Sequence, residues 1–250
     1  MSTTEEEIPE LAFNPQLVLI SGESGSGKSA SLRNLKDQEN WLFMNCEAGK
    51  RLPFKNSFET VTITDPYSTY DGLDYVKNTA NMRGAIIDTT TFLMDMHESQ
   101  FVINSPNTQA AWGTYAQFWK NLMQQKVAPL GKPVIMLAHV VDVYDEKNAE
   151  MKTHIPVKGS LKNQGIEAYF STNVMTRKMP LRDLEDYKNP MLNITEDEEM
   201  LGFKHCFQTR LTKKTIGTRI RSPIGMFTKE ETFIDNDCQV LLDHLKEFYS

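Results

Sequence analysis

Gly22-Glu-Ser-Gly-Ser-Gly-Lys-Ser29 has the composition of a phosphate cradle. Gly22, Gly25 and Gly27 let the backbone curl tightly and aim its N–H groups at phosphate oxygens. In this P-loop pattern Lys28 reaches the β- and γ-phosphates and the Ser29 hydroxyl ligates Mg²⁺. Glu23, Ser24, Ser26 and Ala30 complete the stretch around a nucleotide, taken as ATP. Three further side chains suit the same chemistry. Asp88 closes the apolar run Arg83-Gly-Ala-Ile-Ile-Asp88, where a carboxylate supports Mg²⁺; the plainer alternative is a helix cap or turn residue. Glu47 follows the apolar run Trp41-Leu-Phe-Met-Asn45, at the strand edge where ligands bind in open α/β sheets. His139 stands after Pro133-Val-Ile-Met-Leu-Ala138, able to touch a γ-phosphate or to be hydrogen-bonded within a turn.

These residues need a sheet to hold them. The runs at 17–21, 41–45, 58–63, 83–88 and 133–138 read as strands, most of them buried on both faces. The P-loop strand leads into a helix that runs to about Leu35 and adds its positive dipole end. Leu73 to Met82 reads as a helix, as does 107–126, whose stripe of Trp112, Tyr115, Phe118 and Trp119 is core rather than a base-stacking platform. Val141 to Leu161 loses periodicity and reads as a long loop or loose hairpin. Ala168 to Met175 reads as a further strand and 181–200 as an exposed, acidic excursion. Phe203 to Thr228 carries Lys204, Arg210, Lys213, Lys214, Arg219 and Arg221 with no acidic residue. It reads as basic strands around a Lys-Lys-Thr-Ile-Gly turn, or as a solvated hairpin face. Asp235 is the expected cap of a C-terminal helix. The organisation is a lead-in over 1–14, read as flexible, and a single α/β domain over 15–250. That domain divides into a core (15–180), the excursion (181–200), and basic strands with a helix (203–250).

Composition sets limits. The 250 residues suffice for one large domain, and the formal charge of −6 makes any nucleic-acid surface a local patch. Cys46, Cys206 and Cys238 lack metal spacing and read as reduced, buried thiols of a cytoplasmic protein. The N-terminus has neither signal- nor transit-peptide character, and no apolar run is long enough to span a bilayer.

The placement of carboxylates discriminates among nucleotide-hydrolysing classes. AAA+ proteins usually carry Glu directly after the strand-terminal Asp, whereas Asp88 is followed by Thr89, Thr90 and Thr91. Glu47 is the alternative base. The series strand–P-loop, Cys46-Glu47-Ala-Gly, Ile86-Ile-Asp88-Thr and Leu137-Ala-His139-Val resembles the RecA-fold ATPases encoded by phages, in particular the Sak-type single-strand annealing or recombination group. The resemblance implies a RecA-like fold: a mostly parallel central sheet flanked by helices, with C-terminal antiparallel strands. It implies that Gly22 to Ser29 cradle ATP, Glu47 activates the lytic water, Asp88 supports Mg²⁺ and His139 reports the γ-phosphate to a DNA-binding loop over 141–162. Lys158 and Lys162 are then phosphate contacts for single-stranded DNA. Lys213, Lys214, Arg219 and Arg221 are candidates to act in trans in a homo-oligomer with nucleotide at the subunit interface. A single-strand-binding protein is a further partner and the host cytoplasm the location. Three other classes stay open: a P-loop kinase of a small acceptor, a nucleotide-gated assembly module with little turnover, and a helicase or packaging motor.

Overall fold

A computed structural model describes residues 14–250, so the lead-in expected over 1–14 lies, but for Asn14, outside the described residues. In chain order the strands are β1 (Leu17–Gly22), β2 (Trp41–Asn45), β3 (Glu59–Thr62), β4 (Gly84–Asp88), β5 (Val134–His139), β6 (Val141–Asp145), β7 (Glu150–His154), β8 (Thr172–Pro180), β9 (Phe203–Gln208) and β10 (Phe233–Asp235). The α-helices are α1 (Ser68–Asn78), α2 (Thr90–His97), α3 (Thr108–Asn121), α4 (Leu161–Gln164), α5 (Glu196–Leu201) and α6 (Cys238–Phe248). Eight strands form one sheet in the order β10-β9-β8-β1-β5-β4-β2-β3, and β6 pairs with β7 apart from it. The six strands from β8 to β3 are parallel, whereas β9 runs antiparallel to both β8 and β10. This is the α/β P-loop NTPase architecture, a mostly parallel sheet ending in antiparallel strands.

Alternation along the strands builds two cores. Leu19, Met44, Ile87 and Met136 point to one face, under Phe118, Trp119 and Leu122. Val18, Ile20, Phe43, Ile86 and Ile135 point to the other, under Leu32 and the α6 residues Leu241 and Leu245. The stripe on α3 is therefore core, with Tyr115, Phe118 and Trp119 all buried.

Several elements depart from expectation. The segment after the P-loop is a short 3₁₀ helix, Ser29–Asn34, not a helix with a developed dipole. Ser31 turns its hydroxyl back onto Lys28 O, the local bonding that disfavours a regular ladder. The first long helix starts at Ser68 rather than Leu73, and β8 begins at Thr172, after a 3₁₀ turn at Ile166–Tyr169. Of the two readings of Val141 to Leu161, long loop or loose hairpin, residues 141–154 take the second, as an antiparallel hairpin. Asp237, not Asp235, caps α6, accepting from Gln239 N–H at 2.8 Å; Asp235 ends β10 and pairs with Lys204. The basic region is one strand and a loop. After Gln208 the chain loops before it returns as β10 at Phe233, and the Gln208 amide, donating to Arg210 O and Thr215 Oγ1, ties the start of that loop. The acidic excursion is anchored at Leu184, which packs with Cys206 and Phe233. All three cysteines are buried free thiols. Among the described residues no helix is long and apolar enough to cross a membrane.

Candidate nucleotide site

The parallel register brings four strand ends to one edge. Gly22 lies beside His139, and Asn45 beside Asp88. The strand β5 stands between β1 and β4, so the P-loop and Asp88 are one strand apart, which leaves room between them. The loop after β1 and the turn after β2 rise over this edge and enclose a cavity of about 540 Å³, a size that suits a small-molecule ligand.

The P-loop is shaped by contacts that exclude side chains. A Cβ at Gly22 would stand 2.0 Å from Thr176 Oγ1, and one at Gly27, where φ is +104°, would stand 2.7 Å from the Asn236 amide. Asn236 in turn donates to Gly27 O at 2.9 Å, and His205 Nδ1 lies 2.9 Å from Ser26 O. The loop is thus held from behind by β8, β9 and Asn236, which precedes the Asp237 cap of α6. Gly22→Ala is expected to lower stability by about 1–3 kcal/mol, the usual range for overpacking, and to weaken nucleotide binding; chemical denaturation and nucleotide titration measure the two effects.

Within the cavity, Lys28 is only 5% exposed. Its ammonium donates to Gly22 O (3.0 Å), Glu23 O (2.8 Å) and His139 Nδ1 (3.2 Å). An ammonium has no acceptor, so Nδ1 is the accepting nitrogen of His139 and Nε2–H donates to Glu47 Oε1 at 3.2 Å. Burial and the neighbouring Lys28 charge hold the His139 pKa below its ordinary value despite Glu47, which agrees with this neutral tautomer. Lys50 donates to the other oxygen of Glu47 at 2.8 Å. Burial opposes the Glu47 charge, but the hydrogen bonds from Lys50 and His139 outweigh it and keep the carboxylate below the usual range. An ionised carboxylate poised at the cavity wall is what a general base requires.

Asp88 accepts from Ser29 Oγ at 3.0 Å through Oδ2. Its Oδ1 is buried without a hydrogen-bond partner. Two hard oxygen donors, one of them orphaned, fit Mg²⁺, which takes one or two protein ligands and completes its shell with phosphate and water. Ser29 and Asp88 are the residues that would hold it, and bound there it would neutralise phosphate charge. Burial, then the Glu47 charge, push Asp88 up to about 6 against the Ser29 hydrogen bond and Lys28. Burial pushes Lys28 down to about 8, against the pull of Asp88 and Glu47. The signs set a window. Below pH about 6 Asp88 gains a proton and loses its hold on a cation; above pH about 8 Lys28 loses the charge that attracts phosphate. Mg²⁺-nucleotide affinity is expected to peak between these values and to fall up to tenfold per pH unit outside them, as a pH series of binding isotherms would record.

The sequence comparison decides what kind of site this is. Residues 14–179 match the family model described as an AAA domain. The chain belongs to the AAA-domain family. No curated protein matches it. Membership makes the cavity of this AAA domain a nucleotide site and the domain an ATPase by class. AAA-domain membership holds although Thr89, not the Glu usual in AAA+ proteins, follows Asp88, and the structure shows what the threonines do. Thr90 Oγ1 donates to Leu137 O at 3.0 Å and Thr91 Oγ1 accepts from His139 N–H at 2.8 Å. They staple the end of β5 beside Asp88, while the acidic group comes from Glu47 instead.

Of the residues singled out in the sequence, Ser24, Gly25, Gly27, Lys28, Ser29, Ala30, Glu47, Asp88 and His139 all line the one cavity. Gly22 and Glu23 contribute carbonyls to Lys28, and Ser26 points away, against Thr176. The basic candidates are elsewhere. Lys213 and Lys214 line a separate cavity of about 760 Å³. Arg219 is paired with Glu167, and Arg221 is exposed with its backbone bridged to Asn173. Lys158 is bound to both oxygens of Glu98, whereas Lys162 lines a groove beside the β6–β7 hairpin. Sequence reasoning missed Lys50 and Arg51, which line the cavity three and four positions after Glu47, and also Lys204, His205 and Asn236. The first pair was visible as a basic doublet beside a candidate base. The others arrive through the antiparallel strands and had no local signal.

Proposed function

We propose that this AAA domain hydrolyses ATP in concert with binding single-stranded DNA, as an oligomer with nucleotide at a subunit contact, and acts in recombination, annealing or repair in the manner of the Sak-type phage ATPases. The observation that carries the reading is the continuity of β5 and β6. His139, in contact with Lys28 and Glu47 at once, ends β5, and the chain resumes at Val141 as the exposed hairpin β6–β7. A γ-phosphate that drew Lys28 or Glu47 away from His139 would therefore act on the root of the hairpin. A link between a phosphate contact and an exposed segment that can rearrange is a common form of nucleotide switch.

A polyanion also has a place to lie. Arg177, Arg210, Lys213, Lys214 and Lys229 line the 760 Å³ cavity at the antiparallel end beside Asp183 and Asp186. Arg182 pairs with Asp183 there, whereas among the described residues none of those five cations forms an ion pair with a carboxylate. Their concentration in a chain of net negative charge supports a local backbone-binding surface. The exposed positions of Lys213 and Lys214 also leave them free to reach a neighbouring subunit, as a trans-acting cation must.

One observation favours the nucleotide-gated assembly reading. Val143, Tyr144 and Met151 of the hairpin are about half exposed, which suits contact with protein as well as with bases. Titration of a fluorescent oligonucleotide with and without Mg²⁺ and a non-hydrolysable ATP analogue, across a salt series, separates the two. The DNA reading expects nucleotide-dependent affinity that falls steeply with salt. Absence of oligonucleotide binding at low salt, with nucleotide still bound, contradicts it and leaves the assembly reading.

A further inference from the structure

Just beyond β2 the chain makes a turn held more tightly than a surface connection needs. Ala48 and Gly49 both take positive φ, 52° and 80°, the pattern of a type I′ turn. For alanine this is a conformation that L-residues avoid. Lys50 N–H closes the turn on Glu47 O at 3.0 Å. Asn45, 5% exposed, clasps both ends: its Oδ1 accepts from Glu47 N–H and its Nδ2 donates to Lys50 O, each at 2.9 Å. Backbone strain held in place by its surroundings concentrates at functional sites. The product of this turn is the pairing of Lys50 with Glu47, Nζ to Oε2, at 2.8 Å.

The two partners differ in freedom. The Glu47 side chain is 9% exposed and gripped on its far oxygen by His139, whereas the Lys50 side chain is 67% exposed. Lys28 is fixed by two carbonyls, and the backbone of His139 by Thr91. Of the titratable groups that surround Glu47 (Lys28 from the P-loop, Asp88 from β4, His139 from β5 and Lys50), Lys50 alone is both cationic and free to swing. It lines the phosphate cavity together with Lys28.

We propose that Lys50 is a sensor of the terminal phosphate acting within its own subunit. Its ammonium rests on Glu47 Oε2 in the absence of a γ-phosphate, and moves onto γ-phosphate oxygens when ATP binds. The move leaves Oε2 free to accept the proton of the attacking water. The chemistry of the residue suits the task, since lysine carries a compact charge with three rotatable donors on a flexible stem. A terminal phosphate offers more negative charge than one carboxylate, and charge-assisted hydrogen bonds to it are among the strong ones. ADP lacks that group and leaves the ammonium on Glu47, so the device separates substrate from product. The inference rests on the reading of the cavity as an ATPase site.

Isothermal titration of Lys50→Ala, Lys50→Arg and the unaltered protein with Mg²⁺ and either adenylyl imidodiphosphate or ADP tests it. Lys50→Ala is expected to bind the triphosphate analogue about tenfold or more weakly, with ADP affinity changed by less than about twofold. Lys50→Arg is expected to restore most of the preference, because it keeps the charge. Equal weakening toward both nucleotides would show a merely structural turn residue, and unchanged affinities would show a bystander; either overturns the proposal. Failure of the unaltered protein to bind either nucleotide would remove the ATPase reading itself. Thermal midpoints of the variants separate a lost contact from a lost fold.

Discussion

Lys28→Ala is expected to abolish detectable nucleotide binding at micromolar protein while leaving the fold intact. The ammonium is the cation placed deepest in the cavity, against the P-loop carbonyls and His139. Two charge-assisted hydrogen bonds to phosphate, at about 1.5–3 kcal/mol each, amount to roughly a 10²- to 10⁴-fold loss in affinity. The stability of the nucleotide-free protein should move little. Removal of Lys28 forfeits three hydrogen bonds, but it also removes a buried charge that burial has already pushed down to about 8. Calorimetry checks both halves: an unchanged thermal midpoint without nucleotide, and loss of the rise that Mg²⁺-ATP gives the unaltered protein. A midpoint that fell by ten degrees or more would instead make Lys28 a structural residue.

Glu47→Gln carries the second large effect. Glutamine keeps the length but only one accepting oxygen, so one of the two donors on Glu47, His139 or Lys50, keeps its acceptor and the other gives up its hydrogen bond. What it cannot do is accept a proton from water. Turnover should fall by about 10²- to 10⁴-fold, the usual contribution of a general base, with ATP affinity within a few-fold of the original. Binding without turnover traps the ATP-bound state, so any ligand whose affinity depends on ATP should bind this variant persistently. Single-turnover hydrolysis beside equilibrium binding measures the split. Undiminished hydrolysis would move the base elsewhere, and Asp88, raised to about 6 by burial and by the Glu47 charge, would be the next candidate.

The legible parts of the chain are those where chemistry and local pattern coincide. The Gly-Lys-Ser run, the apolar strands and the polar residues that end them place Lys28, Glu47, Asp88 and His139 at one edge, because parallel strands deliver their carboxyl ends together. The aromatic stripe on α3 announced its own burial. Elsewhere the reasons for failure are physical. The helix after the P-loop is curtailed by the Ser31 hydroxyl bonding to Lys28 O, a competition that composition hints at but does not decide. The basic segment was read as strands from its alternation, yet β9 pairs with β10, far along the chain, and the residues between form a loop closed by Gln208 and Thr215. Lys158 looked free in the sequence and is locked to Glu98, sixty positions away. His205 and Asn236 reach the P-loop only because the antiparallel strands fold back beside it, a long-range consequence that no local window contains.

The proposed function requires coupling between the nucleotide cavity and the exposed hairpin rooted at His139. Steady-state phosphate release from Mg²⁺-ATP, with and without single-stranded DNA at low and moderate salt, tests that coupling most directly. The expected result is a basal rate that single-stranded DNA raises severalfold, a stimulation that fades as salt rises, and loss of both in Lys28→Ala. A rate indifferent to DNA at every salt concentration, from a protein that binds Mg²⁺-ATP normally, would contradict it.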